Sequence, residues 1–242
     1  EDIAKVIQFA NQHGIPVSTR GEAHTQTGQS LSDGIVISLT SMNKVLNVDT
    51  DKKLVTVESG IIWRDLVNHL KTYKLIPPVL TNNLGVTVGG TLSMAGLGIA
   101  SFRFGAQGDN VVAMEVVTGK GEIVQCSPTE NSELFNSVRS TLGQFAVITK
   151  ATLKVTTYLP NVRMYYLLYD KLSVFMKDAE KEFDTGARLG FGIDGDENTR
   201  DMDFEAVRGV YNENKFVSGL QKETTSIAEI ADRLISLLEK VQ

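Results

Sequence analysis

Between Gly85 and Gly98 the chain places five glycines in fourteen residues, within the stretch LGVTVGGTLSMAGLG. Such a density suits neither a helix nor a strand interior, because glycine loses more backbone freedom on folding than any other residue and offers no side chain to a core. The expectation is a loop whose backbone something approaches closely. Two further stretches share this chemistry: TRGEAHTQTGQS at 19–30, where His24 sits among small residues, and LGQF at 142–145. Free N–H groups and hydroxyls that no side chain obstructs suit the diphosphate of a dinucleotide. Any one of these loops alone reads as a tight turn, and together they point to a ligand.

Around the loops the periodicities predict an α+β fold with mostly antiparallel sheet. Ile3, Val6, Ile7 and Ala10 repeat at helical spacing up to a stop at Gly14, so the chain opens inside a helix and earlier residues are expected to precede it. IPVS and GIVISL read as strands, the second buried, and NKVLNVDTDKKLVTVESG reads as a hairpin. Trp63, Leu66, Val67 and Leu70 share one face of a helix that Pro77-Pro78 prevents from continuing. A hairpin turning at TGKG, a helix through NSELFNSVRS and a pair of strands in FAVITKATLKVTT follow. A boundary is expected near Pro160. Beyond it, RMYYLLYD reads as a strand, KLSVFMKDAEKEF as a helix, RLGFGIDGDENTRDMDFEAV as loop, and SIAEIADRLISLLEKV as a helix whose capping box pairs Ser226 with Glu229.

Charge and motif content narrow the function. With 24 basic against 29 acidic residues and no basic run, no positive stripe suggests nucleic acid or an anionic membrane. No apolar stretch approaches the roughly 20 residues that span a bilayer, and the chain reads as soluble. The single Cys126 excludes an intrachain disulfide, while the lack of an N-x-[ST] site tips the expectation slightly from secretion toward the cytoplasm. His13 and His69 read as structural residues, and no HxH or HExxH spacing suggests a metal. No GxxxxGK[ST] is present, and GLGIAS lacks both the third glycine and the preceding strand of a Rossmann fingerprint. Nor does a GxSxG turn accompany His24.

RGEAHTQTGQ at 20–29 resembles the RGxGHSxxGQ loop of vanillyl-alcohol-oxidase-type flavoproteins, in which the histidine is bonded to the 8α-methyl of FAD. LGVTVGGTLSMAG, FRFGAQGDNV, VVTGKGEIVQCS and ENSELFNSVRSTLGQFAVITKATL resemble, in order, stretches of the cytokinin dehydrogenases. The likeness covers about residues 1–170. It implies a PCMH-type FAD-binding domain over 1–158, a small parallel sheet subdomain plus an antiparallel one with helices, without its N-terminal strand. Residues 159–242 would be an incomplete substrate domain. It further implies a small-molecule substrate, His24 as covalent flavin anchor with Arg20, Gly21, Ala23, Thr25 and Gln29 around it, and Thr81, Gly85, Gly89, Gly90, Ser93 and Gly96 along the cofactor. Ile148 would contribute through its backbone.

Within the anchor loop Ala23 replaces a glycine and Thr25 a serine. Upstream of the glycine cluster the family carries Trp-Thr-Asp-Tyr-Leu, whose aspartate takes the substrate's proton, whereas this chain reads Leu80-Thr81-Asn82-Asn83-Leu84. Asn82 cannot serve as a carboxylate base, and losing a positioned base forfeits about 10² to 10⁴ in rate. The activity implied is hydride transfer from a substrate C–H bond to flavin N5. Oxidation of a sugar or alcohol, or flavin binding without turnover, stand beside it.

Overall fold

The β-branched run AVITKATLK forms the central strand of the main sheet in the computed structural model, which describes residues 1–159, 171 and 173–178. The chain divides into two units, Glu1–Pro160 and Asn161–Gln242. In the first, the elements in chain order are α1 (Asp2–His13), β1 (Val17–Arg20), β2 (Ile35–Ser38), β3 (Val45–Asp49), β4 (Leu54–Glu58), α2 (Trp63–Lys71) and β5 (Leu75–Ile76). They are followed by α3 (Val88–Ser93), α4 (Ser101–Phe104), a 3-10 turn at Gln107–Asn110, β6 (Val111–Thr118), β7 (Ile123–Cys126), α5 (Ser132–Val138), β8 (Ala146–Lys154) and β9 (Thr156–Thr157). In the second unit residues 173–178 are helical, inside the helix expected there. The strand, loop and capped helix expected elsewhere beyond Pro160 lie outside the described residues.

Five strands form an antiparallel sheet in the order β3-β4-β8-β6-β7. Alternation along β4 and β8 sends Val55, Val57, Ala151 and Leu153 to the inner face, where they meet Trp63, Leu66 and Leu70 of α2, Val88 and Leu92 of α3, and Phe135 of α5. At one end α1 packs Ala4 and Ile7 against Val117 of β6. A separate two-stranded sheet pairs β1 with β2 in parallel. Parallel neighbours need a long crossover to bring the chain back to the same end, and here that crossover, residues 21–34, is the small-residue loop containing His24. Among the described residues no helix is long and apolar enough to cross a membrane.

Three expectations change. The glycine-rich stretch contains a helix, α3, with Gly89 and Gly90 inside it. Thr87 caps it by accepting from Gly90 N–H at 3.2 Å, and close packing on the sheet compensates the propensity lost. FAVITKATLKVTT supplies one nine-residue strand, with only Thr156–Thr157 turning away to pair with β5. GIVISL is half-buried rather than buried, because β2 covers only one face and leaves Val36 and Ser38 in solvent.

On β6, Glu115 receives hydrogen bonds from Lys150 Nζ (2.9 Å), Thr149 Oγ1 (2.8 Å) and Gln125 Nε2 (3.0 Å). Burial opposes its ionisation, but bonds from Lys150 and Thr149 outweigh that and hold its carboxyl below the ordinary glutamate range. A carboxyl depressed in the folded state stabilises the fold above its unfolded pKa, and that contribution is lost as pH falls through the folded value. Lys150→Met is therefore expected to move the midpoint of acid unfolding, followed by circular dichroism, to higher pH. At neutral pH the stability change should stay near about 1 kcal/mol, because the ammonium is part-exposed.

Candidate functional site

Three glycines show why the loops sit where they do. A Cβ on Gly21 would overlap Thr87 Oγ1 and stand 2.8 Å from its Cγ2, so the chain leaving β1 lies directly on the residue that caps α3. A Cβ on Gly89 would come within 2.8 Å of Ser59 Cβ, and Gly89 N–H donates to Ser59 O at 2.7 Å. That contact seats α3 on the turn between β4 and α2. Gly96 is at positive φ (73°) with its Cβ direction filled by the Gln107 side chain. The close approach expected of the glycine cluster is thus made largely by the protein itself.

What these contacts leave open is a cavity of about 910 Å³, near the top of the range of about 300–1,000 Å³ for ligand pockets. Arg20, Gly21, Ala23, His24, Thr25 and Gln29 line it from β1 and the crossover loop. Thr81 and Asn82 line it from the next segment, Gly89, Gly90, Ser93 and Gly96 from α3 and its exit, and Ile148 from β8. Gly85 is the exception. It lies outside the lining, in a turn in which its N–H donates to Asn83 Oδ1 at 2.8 Å. All three small-residue loops therefore reach one cavity, the third through Leu142, Gly143 and Gln144.

Second contacts set each wall. Thr25 Oγ1 donates to Gln29 Oε1, closing the loop beyond His24. Trp63 Nε1 donates to Thr91 Oγ1 at 2.8 Å, tying α3 to the core. The last carbonyls of α3 are satisfied from a distant segment: Ser140 N–H donates to Leu92 O (3.0 Å) and Leu142 N–H to Ser93 O (2.8 Å). Both donors, like Ala23, hold positive φ without being glycine. Arg139 secures that segment, donating to Gly108 O and Asn136 Oδ1 at 2.7 Å each while its guanidinium lies 4.3 Å from the Phe135 ring centroid.

Among the described residues charge in the lining is sparse: Arg20, Glu22 and His24 are the only ionisable ones, all exposed and none with a side-chain partner there. His13 and His69 lie elsewhere, His13 against the Phe9 ring and carbonyl and His69 against Tyr73. Sequence patterns did not single out Ser18 or Ser59, which also line the cavity. Each looks locally like an ordinary strand or turn residue. Only the 59–89 and 21–87 contacts bring them to the site.

The donor set fits a dinucleotide. A guanidinium without a side-chain partner can meet a diphosphate, the walls expose Gly90 and Gly143 backbone, and Ser18 Oγ and Ser59 Oγ are buried without partners among the described residues. Comparison with known proteins agrees. The FAD binding domain family matches residues 1–127, a second family, a domain of unknown function, matches residues 137–238, and the chain belongs to the FAD binding domain family, with the PCMH-type fold that this implies. Its cofactor is FAD.

Among curated proteins the chain is 40% identical over 178 residues to an uncharacterized oxidoreductase of the fasciation locus of Rhodococcoides fascians, covering 73% of this chain and 40% of that protein. It is 37% identical over 187 residues to cytokinin dehydrogenase 3 of Arabidopsis thaliana, covering 75% and 36%. It is 39% identical over 187 residues to cytokinin dehydrogenase 3 of Oryza sativa subsp. japonica, covering 74% and 36%. The aligned part of the chain spans about two-fifths of the length of these relatives.

Two substitutions in the crossover loop should act in opposite directions. Ala23 is left-handed (φ 54°), which costs an L-residue about 1–2 kcal/mol, against about 0.4–1 kcal/mol for glycine's extra unfolded freedom. Ala23→Gly is expected to raise stability by up to about 1 kcal/mol in urea unfolding. Gly21→Ala must displace Thr87 from its cap, costing about 1 kcal/mol or more, and should also weaken FAD uptake by moving the loop that carries His24.

Proposed function

We propose that this chain is the FAD-binding part of an oxidoreductase of the cytokinin-dehydrogenase kind, in which a substrate C–H bond gives up hydride to flavin N5. Convergence of the 19–30, 81–98 and 142–144 segments on one cavity carries the reading, supported by the FAD binding domain match over 1–127. When bound, FAD supplies the two-electron acceptor. The chain's part is to hold and orient. His24, without a side-chain partner among the described residues, is the residue proposed to bond the flavin covalently, and Arg20 brings positive charge to the diphosphate.

Asn82 decides between substrates. It lines the cavity where the resemblance puts a proton-accepting aspartate, and a carboxamide donates and accepts hydrogen bonds but takes no proton near neutrality. In this reading Asn82 orients the substrate. That favours, as a second reading, a neutral hydroxyl-bearing substrate such as a sugar or alcohol over an amine, or flavin binding without turnover.

Acid precipitation tests the covalent bond: yellow colour should stay with the wild-type pellet and pass to the supernatant in His24→Ala. Anaerobic mixing with adenine-type amines, sugars and alcohols tests the reaction, because a substrate bleaches the flavin. If amines are the substrates, Asn82→Asp should speed their bleaching by about 10² to 10⁴. Bound flavin that none of these compounds bleaches would leave the binding module, and a protein that takes up no FAD would end the reading.

A further inference from the structure

Three buried side-chain polar atoms have no hydrogen-bond partner among the described residues: Ser18 Oγ, Ser59 Oγ and Gln107 Oε1. Two of them, the hydroxyls, belong to residues that line the cavity. Buried polar groups are seldom left unpaired, and one that is calls for an explanation, a ligand being one of them. The hydroxyls of Thr19 and Ser30 belong to residues that are only partly buried, and the five others at this cavity show the contrast. Those of Thr25, Thr81, Thr87, Thr91 and Ser93 all bond within the protein.

Ser59 is the sharper case. It is 1% exposed, and its backbone is committed on both sides: its N–H donates to Thr149 O at 2.9 Å and its carbonyl accepts from Gly89 N–H at 2.7 Å. The missing Cβ of Gly89 is what gives the serine room, since a side chain there would come within 2.8 Å of Ser59 Cβ. The residue is therefore clamped at the meeting of α3 and β8, against Gly89 and Thr149, with a hydroxyl that only rotation about Cα–Cβ can redirect. A turn whose sole need was to pack could carry alanine here, with the same Cβ contact and no polar atom to leave unpaired.

We infer that the Ser59 hydroxyl is a cofactor contact, held in place by Gly89 and hydrogen-bonded to FAD when the cavity is filled. The inference rests on the FAD reading of the cavity. It assigns to this chain a binding group that the small-residue loops do not contain. It also gives the pair Ser59 and Gly89 one purpose, the glycine making space and the serine using it.

The test compares wild type with Ser59→Ala in the full chain, prepared free of flavin. The probe is FAD lacking its 8-methyl group, which cannot bond to His24, so that binding stays reversible and is read by quenching of flavin fluorescence. Ser59→Ala is expected to weaken binding about five- to tenfold, the size of one hydrogen bond, while the flavin-free variant melts at or above the wild-type temperature. Equal affinity in the two proteins overturns the inference while leaving the cofactor reading intact. Weaker binding with a lower melting temperature of the flavin-free variant also overturns it, since the serine would then be a packing residue. Failure of the wild-type chain to bind the analogue and FAD alike removes both.

Discussion

The small-residue loops around the cavity are fastened to six residues of helix. Val88–Ser93 is short and contains two adjacent glycines, so it has little reason to be helical by itself. It holds because Val88 N–H and Gly89 N–H donate to Ile61 O and Ser59 O of the turn between β4 and α2, and because Trp63 reaches Thr91 from the core. The crossover loop then rests on its first turn through Gly21 and Thr87, and the Ser140–Leu142 segment closes its last carbonyls. Loosening this helix would release all three loops together. The cost of their ordering is met by the sheet and core beneath, not by the loops themselves.

Glycine serves two different ends around this helix. At Gly21 and Gly89 its missing side chain lets two pieces of protein touch, at Gly143 it leaves backbone open to the cavity, and Gly90 does both, since it is exposed while a Cβ there would stand 2.9 Å from Thr87 Oγ1. The first use builds the site and the second furnishes it. Part of the backbone strain falls there too: of the seven described non-glycine residues with left-handed backbones, Ala23, Ala95, Ser140 and Leu142 lie in segments that form the walls, while Lys53, Lys74 and Asn131 lie elsewhere. Such conformations persist only where surrounding contacts over-determine them, here the parallel crossover on one side and the Arg139 cluster on the other.

The chemistry of the lining separates binding from reaction. Arg20, the exposed glycine backbones and the two hydroxyls without partners among the described residues are the kinds of group that suit a dinucleotide, while an amide such as Asn82 can orient a substrate but not take its proton. Among the described residues the cavity therefore carries far more machinery for seating a cofactor than for proton transfer. Its relatives extend over more than twice the aligned length.

Much of the architecture was legible from local pattern. The helical spacing of Ile3 to Ala10, the apolar face of Trp63 to Leu70 and the turn at TGKG each record which side of an element faces the core, and α1, α2 and the β6–β7 hairpin follow them. The three small-residue loops were likewise visible, because a run without side chains stands out against ordinary composition. Helix in the glycine stretch was not legible, since its stability comes from Ser59 and Ile61, more than two dozen positions away. For the same reason no local signal separated Gly85, spent in a turn, from Gly90 at the cavity, or marked Ser59 at all. Periodicity encodes the side an element turns inward. Which distant backbones then touch, and so which glycines make contacts and which leave space, is settled only when the sheet and α3 come together.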